Sequence, residues 1–191
     1  NAAGSADLGN GGSGIRIASP GNIVGGTEIG EGNVLSGNDD NGILITGDQN
    51  VILGNLVGVD QTGSTPLGNA NRGIYIIGGS NNIIGGQRSN FVSGNGLEGI
   101  GITQTTATGN SVLGNFIGGV AVGLGNQDGI LIDDAPGNTI GGPFPGNPNQ
   151  ISGNTRNGIR VLGDSAIGNQ IKQNSIFNNQ QIGIELNGDG A

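Results

Sequence analysis

The chain has 191 residues, 44 of them glycine, with no Cys, His, Met or Trp and a net charge of −8. Only 6 residues are Lys or Arg. That leaves no basic patch for phosphates, and so excludes nucleic-acid binding. Without cysteine there is no disulfide framework and no thiolate metal site. No apolar run approaches the length of a membrane span.

The predicted elements are short strands, read here in chain order. The first strand of each unit follows a Gly–Ile pair: "GIRI" at Gly14, "GILI" at Gly42, "GIYI" at Gly73, "GIGI" at Gly99, "GILI" at Gly129, "GIRV" at Gly158 and "GIEL" at Gly183. A second strand opens at Asn22, Asn50, Asn82, Asn110, Asn138 and Asn169. A third opens at Asn33, Asn55, Asn90, Asn115, Asn149 and Asn174. In each, aliphatic residues fall on alternate positions, which is strand periodicity. No burst is long enough for a helix.

Alternate intervals differ in type. Those starting at Gly14, Gly73 and Gly129 carry "VGG" or "IGG" in the second strand and "SGN" after the third. Those starting at Gly42, Gly99 and Gly158 run almost directly from second to third strand. The chain starts with Asn1 and no signal peptide is legible. It is read as one segment, 1–191, beginning and ending inside a repeat array, and as a processed or excised piece.

One repeat of three strands cannot seal a core. Stacked repeats can, because each strand pairs with its equivalents above and below and the aliphatics form continuous columns. The predicted fold is all-β: a right-handed, single-stranded parallel β-helix (a solenoid) of about seven coils. The asparagines that open the second and third strands are expected to form amide ladders from coil to coil, since an unpaired amide turned inward is costly.

"NVLSGNDDNGILITG", "NQISGNTRNGIRVLG" and "NSIFNNQQIGIELNGDG" resemble right-handed parallel β-helix repeats of the pectate-lyase-like superfold. More narrowly, they resemble the repeat regions of large secreted bacterial surface proteins. The resemblance covers essentially the whole chain. It implies a rigid, extracellular or cell-surface, structural or adhesive module. It is specific for fold and weak for function, because the superfold also carries enzymes.

Four surfaces are candidate sites. The outward column of the first strand reads Arg16, Leu44, Tyr75, Gly101, Leu131, Arg160 and Glu185. Arg16, Tyr75, Arg160 and Glu185 are the residues a glycan-binding or glycan-cleaving face would use. The lyase or hydrolase alternative is disfavoured, since no acidic pair lies on that column and the chain has no His. An Arg160–Glu185 salt bridge is expected instead. Just before the first strands run Asn41, Arg72, Glu98, Asp128 and Asn157. Here an Arg72–Glu98 pair is expected, with Asp128 facing solvent. The corner after the first strand gathers Asp133, Asp134, Asp164 and Asp189. That is the best place for calcium, the one cofactor considered; a solvated acidic edge is the ordinary alternative. Asp60 is read as an Asx-type turn.

The fourth surface is apolar. The outward positions of the third strand read Val34, Leu56, Phe91 and Phe116 before turning polar, and those of the second read Ile23, Val51 and Ile83. A contiguous row of this kind marks a contact face. The expected partners are other copies of the chain or adjacent domains, with polysaccharide as the further candidate.

Overall fold

The structure is a computed structural model that describes residues 8–119, 121, 123–142 and 148–187. Its strands form three all-parallel sheets. The first sheet stacks Ile15–Ile17, Ile43–Ile45, Ile74–Ile77, Ile100–Thr103, Ile130–Asp133, Ile159–Leu162 and Ile184–Asn187 in that order. The second stacks Ile23–Gly25, Val51–Leu53, Ile83–Gly85, Ser111–Leu113, Thr139–Ile140 and Gln170–Ile171. The third stacks Val34–Leu35, Leu56–Val57, Phe91–Val92, Phe116–Gly118, Gln150–Ser152 and Ser175–Phe177. The chain is therefore a right-handed parallel β-helix. There are six full turns and the first strand of another, rather than seven coils, because Gly183 opens a strand with no second or third strand after it among the described residues.

Register follows the sequence repeats. Ile43 pairs with Ile15 and Ile74, and Ile100 pairs with Ile74 and Ile130. Ile43, Ile74, Ile100 and Ile130, with Ile45, Ile76, Ile102 and Ile132 two positions on, line the core and are fully buried, while Ile15 in the first coil is partly buried. Ile52, Ile84 and Ile140 supply the second wall, and Val57, Val92, Ile117 and Ile151 the third. Strands of two to four residues suffice because each contributes only one or two inward side chains to columns that run the length of the molecule.

The glycine of the Gly–Ile pair has a packing reason. A Cβ on Gly42 or Gly73 would lie 2.7 Å from the carbonyl oxygen of the equivalent glycine one coil on, and 2.5 Å from a core valine methyl. From Gly14 to Gly158 the chain has no room for a side chain where it enters the first sheet.

Both predicted asparagine ladders are present. In the second-strand ladder, Asn22, Asn50, Asn82 and Asn110 each donate from Nδ2 to Oδ1 of the next asparagine at 3.0–3.1 Å. The step from Asn138 to Asn169 uses the Asn138 backbone N–H. In the third-strand ladder the links run Asn33, Asn55, Asn90, Asn115, Asn149, Asn174 at 2.8–3.2 Å. A third ladder, absent from the sequence reading, follows the third strand: Asn10, Asn38, Asn69, Asn95, Asn126, Asn154 and Asn179, linked at 2.6–3.2 Å. Its signal was visible, as an asparagine three or four residues ahead of every Gly–Ile pair. All three corners of the triangular coil are thus held by the same device. The spare amide protons go to backbone carbonyls at the corners, as in Asn115 Nδ2 to Ile84 O at 2.8 Å. The buried amides of the ladders are thereby satisfied.

Candidate functional site

The outer face of the first sheet is organised around an absence of side chain. Gly101 lies between Tyr75 and Leu131 in register. The stem of Arg72 crosses that gap: a Cβ on Gly101 would sit 2.7 Å from Arg72 Cδ. From there the guanidinium stacks on Tyr75, 4.4 Å from the ring centroid. Arg72 Nε also meets Glu98 Oε2 at 2.6 Å. The Tyr75 hydroxyl pairs with the Thr103 hydroxyl at 2.9 Å. Farther along the stack, Arg160 Nε lies 2.9 Å from Glu185 Oε2, which also accepts from Asn157 Nδ2 at 2.8 Å. Both expected ion pairs therefore form, and of the glycan-face residues Arg160 and Glu185 are paired with each other. Arg16 stands in the same column at the first coil, beside Leu44.

Asp128 corrects an expectation. It is fully buried rather than solvent-facing. The position before the first strand directs its side chain along the stack, where an oxygen caps the amide of the next coil. Asp128 Oδ1 accepts from the Asn157 amide at 2.8 Å, just as Asn41 Oδ1 accepts from Arg72 and Asn157 Oδ1 from Ile182. Asp128 Oδ2 has no hydrogen-bond partner among the described residues.

The acidic corner is dispersed. Asp133 ends a first strand, in register with Thr103 and Leu162. Asp134 takes a left-handed backbone (φ 50) and accepts from the Ser165 amide at 3.2 Å. Asp164 is exposed, and Asp189 lies outside the described residues. Among the described residues no three carboxylates converge as a metal-ligand set. Asp60 closes a tight loop. Its Oδ1 accepts from the amides of Ser64 and Thr65 at 3.0 and 3.1 Å and from the Thr62 hydroxyl at 2.8 Å. The Thr65 amide, opposed by partial burial and helped by the Thr62 hydroxyl and the Ser64 amide, holds its pKa down at about 2.

The apolar rows lie where the sequence put them, and corner loops turn them into two grooves. On the third sheet, Val34 and Phe116 are exposed, and Leu56 and Phe91 are half-buried between them. The rings of Phe91 and Phe116 stack in adjacent coils with centroids 6.0 Å apart. This row lines a groove of about 560 Å³ together with Gln61 and Arg88. On the second sheet, Ile23, Val51 and Ile83 line a second groove of about 530 Å³.

Between the grooves runs a ridge. After the second strand, coils one and three carry loops (26–32 and 86–89), whereas coil two turns through Gly54 alone. Arg88 reaches from coil three to coil one and donates from Nη1 to Thr27 O at 2.9 Å. Its stem lies on Gly54, where a Cβ would sit 2.9 Å from Arg88 Cδ. Sequence reading identified the apolar rows but not this clasp.

No protein-family model, curated protein or solved structure matches the chain.

Proposed function

We propose that this chain is a rigid structural or adhesive module of an extracellular or cell-surface protein, and that it makes its contacts through the outer faces of its coils. The observation that carries this reading is the row Val34, Leu56, Phe91 and Phe116. Two stacked phenylalanines beside exposed valine form a contiguous apolar strip on a rigid sheet, which is the signature of a contact surface rather than of scattered exposure. The stacked coils supply stiffness, and the three amide ladders hold the strip in fixed register. The extracellular assignment rests on the resemblance of the repeats to those of secreted surface proteins. A polysaccharide-binding or polysaccharide-cleaving role is the weaker reading. Tyr75 and Arg160, which such a face would need free, are engaged by Arg72 and Glu185.

The contact partner is another copy of the chain or a neighbouring domain, and the first can be tested directly. Light scattering behind size exclusion, over a hundredfold range of concentration, should show association that Phe116→Ser with Val34→Ser abolishes while the circular dichroism stays unchanged. A wild-type chain that remains strictly monomeric at every concentration removes self-association and leaves only a foreign domain as partner for this strip.

A further inference from the structure

The second-sheet groove is chemically distinct from the phenylalanine strip. Its floor is wholly aliphatic. Ile23, at 70% exposure, and Ile83, at 39%, flank Val51, with Leu53 and Leu113 beside them. Farther along the same sheet the outward positions turn polar, to Ser111, Thr139 and Gln170. The apolar row therefore covers the first three coils of the sheet. The wall consists of the loops after the second strands of coils one and three. It is braced by the Arg88–Thr27 bond and by the Glu28 amide donating to Glu31 Oε2 at 2.9 Å. A wall fixed in this way needs little ordering when something binds.

The rim is acidic. Glu28 and Glu31 are exposed on the wall, and Glu31 lines the groove itself. Among the described residues no lysine or arginine lines this groove, and Arg88, on the same wall, is bound to Thr27 O. The groove spans three coils, roughly 10 Å at the strand spacing. An extended chain places side chains i and i+2 about 6.6–6.8 Å apart on one face, so two aliphatic side chains of one strand match its length.

We propose that this groove docks an extended basic segment of a partner protein, with two aliphatic side chains at alternate positions on the Ile23–Val51–Ile83 floor and Lys or Arg residues of the segment against Glu28 and Glu31. The proposal rests on the reading of the chain as a contact-bearing module but uses a different face from the phenylalanine strip. Charge decides between occupants. A two-fold dimer built on this groove would set its acidic rim against the same rim. An acyl chain carrying an anionic headgroup meets the same repulsion. A basic segment is attracted.

The test uses fluorescence anisotropy with the intact chain and labelled probe peptides. Lys-Val-Lys-Val-Lys should bind about tenfold more tightly than Lys-Gly-Lys-Gly-Lys, and Glu-Val-Glu-Val-Glu should not bind. Val51→Thr with Ile83→Thr places on the floor a residue the same column already carries at Thr139, so the fold is retained; it should cost the Lys-Val peptide at least fivefold in affinity. Glu31→Gln keeps an oxygen for the Glu28 amide while removing charge, and should weaken binding and reduce its salt dependence. Equal binding of the Lys-Val and Lys-Gly peptides, or full binding to the threonine variant, overturns the proposal, because attraction would then be diffuse. No binding at millimolar peptide also overturns it. Neither result bears on the phenylalanine strip, whose test reads association of the chain with itself.

Discussion

At the scale of single residues the molecule depends on asparagines that have no alternative partners. Asn115 accepts from Asn90, donates to Asn149 Oδ1 and donates to Ile84 O, all within the buried corner. Asn115→Ala would leave the Asn90 backbone and side-chain donors that meet Asn115 Oδ1 unpaired away from water, while Asn149 Oδ1 keeps the backbone N–H of residue 115. The expected loss is about 3 kcal/mol, since each orphaned buried group costs about 1–3 kcal/mol, and urea denaturation would read it. Asp60 offers a pH handle. Its folded pKa is about 2, below the ordinary aspartate value of about 3.9. A depressed carboxyl contributes stability that is fully present above the ordinary value and is lost as pH falls through the folded one. The Ser64 and Thr65 amides, followed by NMR, should therefore keep their folded shifts down to pH about 4 and lose them towards pH about 2. In Asp60→Asn they should stay nearly flat over that range. Asp40 and Asp48 are lowered for the same kind of reason, by the Ser13 hydroxyl and the Ser80 amide respectively, and act in the same direction.

At the scale of the strand, position along the stack sets the value of a side chain. Ile102 and Leu186 belong to the same inward file, yet Ile102 is fully buried between coils while Leu186, on the last described strand, is 67% exposed. Ile102→Ala should cost about 2–5 kcal/mol, the range for truncating a buried isoleucine, with a cavity left behind. Leu186→Ala should cost under about 1 kcal/mol, because little burial is lost. Chemical denaturation of the two variants side by side checks this, and similar losses would mean that the files do not behave as the stacking implies. The strands were legible because period-two alternation and the Gly–Ile pair are local signals. The ion pairs Arg72–Glu98 and Arg160–Glu185 were legible once coils were aligned, since each joins equivalent or adjacent positions one turn apart. The Arg88 clasp was not. It links residues 61 apart, across an intervening coil, and depends on two loops of unrelated sequence having matching heights. Asp128 was misread because an aspartate at a corner suggests solvent; its surroundings, set by coils on both sides, turned the carboxylate along the axis.

At the scale of the whole molecule, the three amide ladders share one direction. In each, the N–H groups of one coil point to the oxygens of the following coil, from Asn10 to Asn179, from Asn22 to Asn169 and from Asn33 to Asn174. The backbone bonds between coils do not share it. Ile15 N–H points up the stack to Gly42 O, while Thr46 N–H points down to Ile17 O, so their dipoles largely cancel. What remains is a column of side-chain amides whose oxygens face the early coils and whose ladder protons face the late ones, the second proton of each turning back to a carbonyl of the preceding coil in cases such as Asn90, Asn115 and Asn149. The rod therefore has an electrical head and tail, independent of its acidic surface. Two such rods lying alongside in opposite senses would cancel these moments, and two lying in the same sense would add them, so the ladders that bind each coil to the next also bias how neighbours align.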